Sequence, residues 1–319
     1  MFSLIPPELP KTVRPVKLAP TMAGKVLVSG ASGPIGNALL PALHGHGYET
    51  AQLVRRPAIG TGQIQWDPQR PVNSDSVSGF DAVVHLAGES IVGRWSAAKK
   101  TAIRDSRVLG TRHLAEALAK APQPPRVLLS ASAIGYYGER GEELLREESA
   151  AGKGFLAEVC QQWEAATRPA VQAGIRVVHL RIGMVLSPQG GALSAMLTPF
   201  RLGLGGRIGS GRQWWSWIDV RDLVGAIPHA IEAESLRGPV NAVSPSAAIN
   251  SEFTRALAKI LSRPAMFPLP AFAARLVLGQ MADELLLASQ RVEPARLLAS
   301  GFQFRYGELA TSLRANLTK

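Results

Sequence analysis

The stretch Lys25-Val-Leu-Val-Ser-Gly30-Ala-Ser-Gly33-Pro-Ile-Gly36-Asn-Ala-Leu-Leu40 decides the fold. Val26 to Val28 is a short apolar run rich in β-branched residues, enough for one buried strand. Gly30, Gly33 and Gly36 follow at three-residue intervals, and the apolar period from Ile35 to Gly45 predicts a helix. Strand, glycine turn and helix start together place unpaired backbone N–H groups and a positive helix end at one point. Such a point holds a pyrophosphate without any charged side chain. Gly30 serves the tight turn, Gly33 the approach of backbone to phosphate, and Gly36 the contact of helix with strand. Ser32, Pro34 and Ile35 complete the expected cradle. The bland alternative is an ordinary βα turn that happens to hold glycines.

Around this unit the chain alternates. Strands are expected over 25–29, 49–54, 63–66, 82–86, 126–130 and 176–181, with helices over 35–45, 97–119 and 154–173. That order predicts an α/β, Rossmann-type doubly wound parallel sheet. A smaller, mostly helical C-terminal region follows, with a helix over 222–232 capped by Asp222 and another opened by Pro294. The expected division is a flexible Pro-rich basic extension over 1–23, a dinucleotide-binding domain over 24–245 with a glycine-rich substrate-loop insertion at 183–217, and a small domain over 246–319.

The 319 residues are 46% hydrophobic and 18% charged, a globular composition. Cys160 is the single cysteine, so no intramolecular disulfide can form, and a cytoplasmic location is expected. No membrane partner is expected. The long uncharged stretch Val26–Tyr48 carries glycines, prolines and histidines that suit a βα unit. The net charge of +11 is scattered along the chain and not interleaved with aromatics, which argues against specific nucleic-acid binding. An anionic cofactor and a small acidic substrate account for its sign. The six histidines show no metal-ligand spacing, so no metal is expected.

The second strand ends in Arg55 and Arg56, where a cofactor with a free ribose 2′-hydroxyl calls for a carboxylate. Two guanidinium groups there suit a 2′-phosphate and point to NADP(H), the alternative being two solvated arginines. After the fourth strand, Leu86, Ala87, Gly88 and Glu89 are expected against the dinucleotide; His85 reads as strand-end packing.

With these pieces go Arg107-Val-Leu-Gly-Thr111, Ser130-Ala-Ser-Ala-Ile-Gly-Tyr-Tyr-Gly138, Arg181-Ile-Gly183 and Trp217-Ile-x-x-x-Asp222. Together they resemble the extended short-chain dehydrogenase/reductase superfamily. Cys160-x-x-Trp163-Glu164, Gly205-Gly-Arg-Ile-Gly-Ser-Gly211-x-Gln213, Gln290-Arg-Val-x-Pro294 and Gly301-Phe-x-Phe304 are similar to its atypical NAD-dependent epimerase/dehydratase-like subgroup with a small C-terminal domain. The resemblance spans residues 24–316. It implies hydride exchange at a nicotinamide, with a Tyr-x-x-x-Lys pair moving the proton. Aligned on Glu164, that pair falls on Leu156 and Cys160, and the superfamily's asparagine on Arg107. Leucine carries no proton to move and a thiol is no fixed cation. Ser132 keeps the place of the superfamily's serine, with Ser130 near the same strand end.

Four residues are candidates for chemistry. Ser132 would polarise a carbonyl or hydroxyl. Tyr136, or Tyr137 beside it, is either a substitute acid or a turn residue. Arg107 is either the replacement cation or an exposed helix residue. Cys160 is either an activated thiol or inert packing, and packing is the ordinary fate of a cysteine on an apolar helix face. Arg181 and Ser130 are expected near the cofactor, and Gln213-Trp-Trp-Ser-Trp217 as a pocket wall. The expectation is an NADP(H)-binding oxidoreductase or epimerase-like enzyme on a small molecule, monomer or homodimer. The alternative is a catalytically silent NADP(H)-binding sensor or interaction module.

Overall fold

The computed structural model describes residues 24–318, so the expected extension over 1–23 lies outside the described residues. Seven strands form the main sheet: β1 (Lys25–Ser29), β2 (Glu49–Val54), β3 (Gln63–Gln65), β4 (Ala82–His85), β5 (Val127–Ala133), β6 (Arg176–Ile182) and β7 (Gly238–Ala242). They lie in the order β7-β6-β5-β4-β1-β2-β3, and every pairing is parallel. Parallel neighbours need crossovers, and these supply helices to both faces.

Alternation along the strands sends neighbouring side chains to opposite sides. Val26, Val28, Val84, Leu129 and Val178 meet Leu39 and Leu43 of α1 (Pro34–Gly45) and Ile227 and Ile231 of the helix Val220–Glu232. Leu27, Val83, Leu128 and Val177 meet Leu114 and Leu118 of α2 (Ala97–Ala119). All these side chains are buried. Burial at about 1.5–3 kcal/mol for each large apolar side chain makes the doubly covered sheet the frame for everything at its edges.

The differences from expectation have local causes. The helix expected over 154–173 divides into α3 (Phe155–Ala165) and a short helix Arg168–Gln172. Pro169 has no N–H to continue the first helix, and the Thr167 hydroxyl takes the Glu164 carbonyl instead at 2.8 Å. Asp222 is not an N-cap. The helix begins at Val220, and Asp219 accepts from the Arg221 N–H at 2.8 Å. Asp222 accepts the backbone N–H groups of Arg305 and Tyr306, both at 2.9 Å, tying the C-terminal segment to this helix.

A third core joins the insertion to the C-terminal helices. Leu186, Leu193, Leu197 and Phe200 pack with Trp215, Trp217, Phe253, Leu257 and Leu313. Trp217 and Trp215 are buried core side chains here rather than pocket wall. Only Trp214 of the three is part-exposed; it donates Nε1–H to Glu142 at 2.6 Å beneath the Arg291 guanidinium. No described helix is long and apolar enough to cross a membrane.

Candidate active site

Strand order reverses between β1 and β4, which opens a crevice at their carboxyl ends. The glycine turn lies in it. Gly30 has φ +72°, and a Cβ there would sit 2.7 Å from the Leu86 carbonyl carbon and 2.8 Å from the Ala87 nitrogen. A Cβ on Gly36 would collide with the Gly30 carbonyl oxygen. Gly33 donates to that oxygen at 3.0 Å and begins α1 with no side-chain cap; Pro34 follows as the first helical residue. The N–H groups of Ile35 and Gly36 are therefore left for an incoming group, and no acid occupies the first turn. Exposed Ser32 turns its carbonyl to Asn37 Nδ2 at 3.3 Å. Pro34 lies near Gly190 of the insertion, which thus reaches over the turn.

Arg55 and Arg56 follow β2 directly and are both exposed. Arg55 lines a cavity of about 660 Å³ with Trp66, Asp67, Arg70 and Asn73. Arg70 is a second cation there that the sequence did not single out. Beneath the crevice His85 is fully buried. Its Nδ1 shares a 2.6 Å hydrogen bond with Ser29 Oγ, and burial lowers its pKa to about 4. His85 is a neutral packing residue.

The next crevice residues lead to Arg107. A Cβ on Gly88 would lie 3.2 Å from the Arg107 guanidinium carbon, and Arg107 donates to the carbonyls of Glu89 at 2.9 Å and Ile103 at 3.1 Å. Its guanidinium also lies over Trp163, 5.1 Å from the ring centre. Arg107 is thus not an exposed helix residue; burial lowers its pKa, with Cys160 and Glu89 acting in the opposite sense. Glu89 is held ionised chiefly by Lys99 at 2.7 Å, with Arg55 and Arg107 adding to the effect.

At the ends of β5 and β6 the side chains engage one another. Ser132 lies opposite Arg181 in register, and both reach Glu164 of α3. Ser132 Oγ donates to Oε1 at 2.8 Å, and Arg181 clasps both oxygens at 2.8 and 2.9 Å. Arg181 NH1 continues to the Tyr137 hydroxyl at 3.0 Å and the Glu147 carbonyl at 3.1 Å. Tyr137 in turn meets Asn241 Oδ1 at 2.7 Å and the Arg146 carbonyl at 2.9 Å; burial pushes its pKa up to about 12. This corrects the expectation for Arg181, whose three guanidinium nitrogens are all engaged inside the protein. Tyr136 differs from its neighbour. It is half-buried, its ring is covered by Arg181 at 3.5 Å, and its hydroxyl makes no hydrogen bond to any described residue.

Cys160 is buried. Burial and then Glu164 push its pKa up to about 12 despite Arg107, the environment of an inert packing thiol, the second of the two roles weighed for it. Leu156, one turn earlier on α3, is buried with Trp95, Phe155 and Met281. A Cβ on Gly135 would touch both Leu156 and the Cys160 sulfur. Ser130 is buried one step below Ser132, its hydroxyl directed to the Ala131 carbonyl at 3.4 Å. The site also holds Glu284, which the sequence reading missed. Its carboxylate accepts the Phe155 and Leu156 N–H groups at 3.1 and 2.7 Å, so the C-terminal region caps the helix that bears Leu156 and Cys160.

Residues 26–242 match the model of the NAD dependent epimerase/dehydratase family. The chain belongs to that family. Residues 269–315 match a domain of unknown function, DUF1731. Among family members, the chain is 42% identical over 296 residues to the epimerase family protein ML0860 of Mycobacterium leprae, covering 92% of this chain and 96% of that protein. It is 40% identical over 294 residues to the human epimerase family protein SDR39U1, covering 91% and 98%. The crystal structure of human SDR39U1 with NADPH superposes with a TM-score of 0.85 at 38% identity, over 92% of this chain and 98% of that one. A nucleoside-diphosphate sugar epimerase from Corynebacterium glutamicum matches with a TM-score of 0.77 at 41% identity, covering 92% of this chain and 58% of that one.

Proposed function

We propose that this family member binds NADP(H) and carries out hydride exchange on a small molecule, as an oxidoreductase or epimerase-like enzyme without the superfamily's tyrosine–lysine pair. The carrying observation is the fit of the crevice to a dinucleotide. Gly30 and Gly36 let the turn close against the Leu86–Ala87 backbone and against itself where a Cβ would collide, and α1 presents uncapped N–H groups to a pyrophosphate. Arg55 and Arg56 are exposed at the end of β2, where they can meet a 2′-phosphate. The similar human protein was crystallised with NADPH, which supports the same choice here.

When bound, the nicotinamide supplies or accepts the hydride. The chain's own residues supply the rest. Ile35, Gly36 and the loop Leu86–Glu89 hold the dinucleotide, and Arg107 is the fixed cation beside Gly88. Ser132 is held by Glu164, so it offers a substrate lone pairs while its proton faces the carboxylate. Tyr136 is the proton carrier, since its hydroxyl bonds to no described residue while that of Tyr137 is bound on three sides.

The test is a fluorescence titration with NADPH and NADH. Arg55→Ala with Arg56→Ala is expected to weaken NADPH by about thirtyfold while leaving NADH nearly unchanged; equal loss for both refutes the phosphate role.

The second reading, a catalytically silent NADP(H) sensor, is favoured by one observation. Leu156 and the protonated Cys160 leave no proton-transfer group on α3 where the superfamily keeps its pair. Incubation with NADPH and a broad set of carbonyl compounds separates the two. Oxidation that disappears in Tyr136→Phe supports the enzyme, and NADPH binding without turnover across the set supports the sensor.

A further inference from the structure

The largest run of exposed apolar side chains among the described residues lies on the insertion and the C-terminal region. Leu202, Leu204, Met266, Phe267, Phe272, Leu276 and Val277 all belong to it, and Leu202, Met266, Phe272 and Leu276 are 68%, 74%, 73% and 74% exposed. Backbone bonds tie its two loops together. Phe267 donates to the Gly205 carbonyl at 3.1 Å, Leu269 to Arg207 at 2.9 Å, and Gly209 to Leu269 at 2.9 Å. The helix Ala271–Leu278 continues directly from this ladder with only Ala274 buried. An apolar patch of this extent on a folded domain marks a contact surface.

Its rim is basic. Arg201 adjoins Leu202, Arg263 donates to the Arg201 carbonyl at 3.0 Å, Arg207 lies in the ladder, and Arg94 reaches the Leu276 carbonyl at 3.4 Å. All four are exposed, and none makes an ion pair among the described residues. Of the two acids that follow the helix, Asp283 is paired with Arg275 at 2.8 Å, and Glu284 accepts the Phe155 and Leu156 N–H groups. The occupant must therefore be both apolar and anionic. A second copy in two-fold contact would bring one basic rim against another, which costs energy. Exposed apolar side chains on a short helix and two loops suit insertion between lipid headgroups.

We propose that this surface docks the protein onto an anionic bilayer, with Met266, Phe267, Phe272 and Leu276 entering the interface and the four arginines on acidic headgroups. Such a contact needs no spanning helix.

The test uses the full-length protein sedimented with vesicles of phosphatidylcholine alone or mixed with phosphatidylglycerol. Pelleting is expected only with the acidic lipid and is reversed by high salt. Phe272→Asp with Leu276→Asp is expected to lower partitioning at least about tenfold, and Arg201→Gln with Arg263→Gln by about tenfold. Both variants alter exposed side chains and are expected to melt with the wild type by circular dichroism. Absence of pelleting with acidic vesicles overturns the proposal, as does pelleting unchanged by the aspartates. A dimer in light scattering that the aspartates dissociate assigns the patch to a second copy and overturns it equally.

Discussion

At the end of β1 the first amides of α1 have no partner among the described residues; at the ends of β5 and β6, two and three strands away, side chains are already bonded to one another. The first region waits for an anion. The second is complete without one, because Ser132, Arg181 and Tyr137 all close on groups of the protein. The contrast teaches that one sheet edge can be ready for binding while its neighbour carries stability. It also explains why Tyr136, whose hydroxyl makes no hydrogen bond to any described residue, carries the proposed chemistry.

The contrast is broken most directly through the buried ion pair. Glu164→Gln leaves Arg181 uncompensated in the interior and is expected to cost about 3–5 kcal/mol in urea unfolding. A loss near zero would place Glu164 in chemistry instead of structure. Acid gives the next largest effect. His85 titrates at about 4 in the fold and at 6.5 when unfolded, so its contribution is complete above pH 6.5 and lost as pH falls from 6.5 to 4. About 3 kcal/mol is expected to disappear over that window in melts followed against pH; an unchanged melting temperature would mean that His85 is already charged.

The glycine turn is expected to respond in binding more than in stability. A Cβ on Gly33 would lie 3.3 Å from the Gly30 carbonyl oxygen, and φ there is −77°, so Gly33→Ala folds. Its methyl group enters the cradle, and NADPH affinity is expected to fall about a hundredfold in titration calorimetry while the melting temperature moves little. Wild-type affinity would detach the turn from the cofactor. The smallest effect is at the helix cap. Glu284→Ala frees the first N–H groups of α3 and is expected to cost about 1 kcal/mol. Hydrogen exchange localised to residues 155–158 would sharpen the link between the C-terminal region and the site.

The glycine turn was legible because its requirements are local. Gly30, Gly33 and Gly36 are set by φ and by contacts within a few residues or with the next strand, and β1, β2 and α2 end where apolar pattern and capping end them. β7 was missed because Gly238-Pro-Val-Asn-Ala242 is short and carries glycine and proline, and it is a strand only because β6 offers it an edge. The tryptophans of 214–217 were misplaced for the related reason that nothing nearby in sequence shows Phe253 and Leu313 closing over them. Tyr136 and Tyr137 are adjacent and identical in type, and only their distant partners Asn241 and Arg181 tell them apart.

By itself, then, the sequence determined the doubly wound sheet, the turn that presents free amides, and the arginines after β2, since each follows from periodicity and backbone freedom over short spans. The tertiary structure alone decided that Arg181 is locked, that Cys160 stays protonated and that Tyr137 is bound. It also decided that α3 is capped from residue 284. These depend on burial and on partners brought from far along the chain, where desolvation and geometry, not residue type, choose the role.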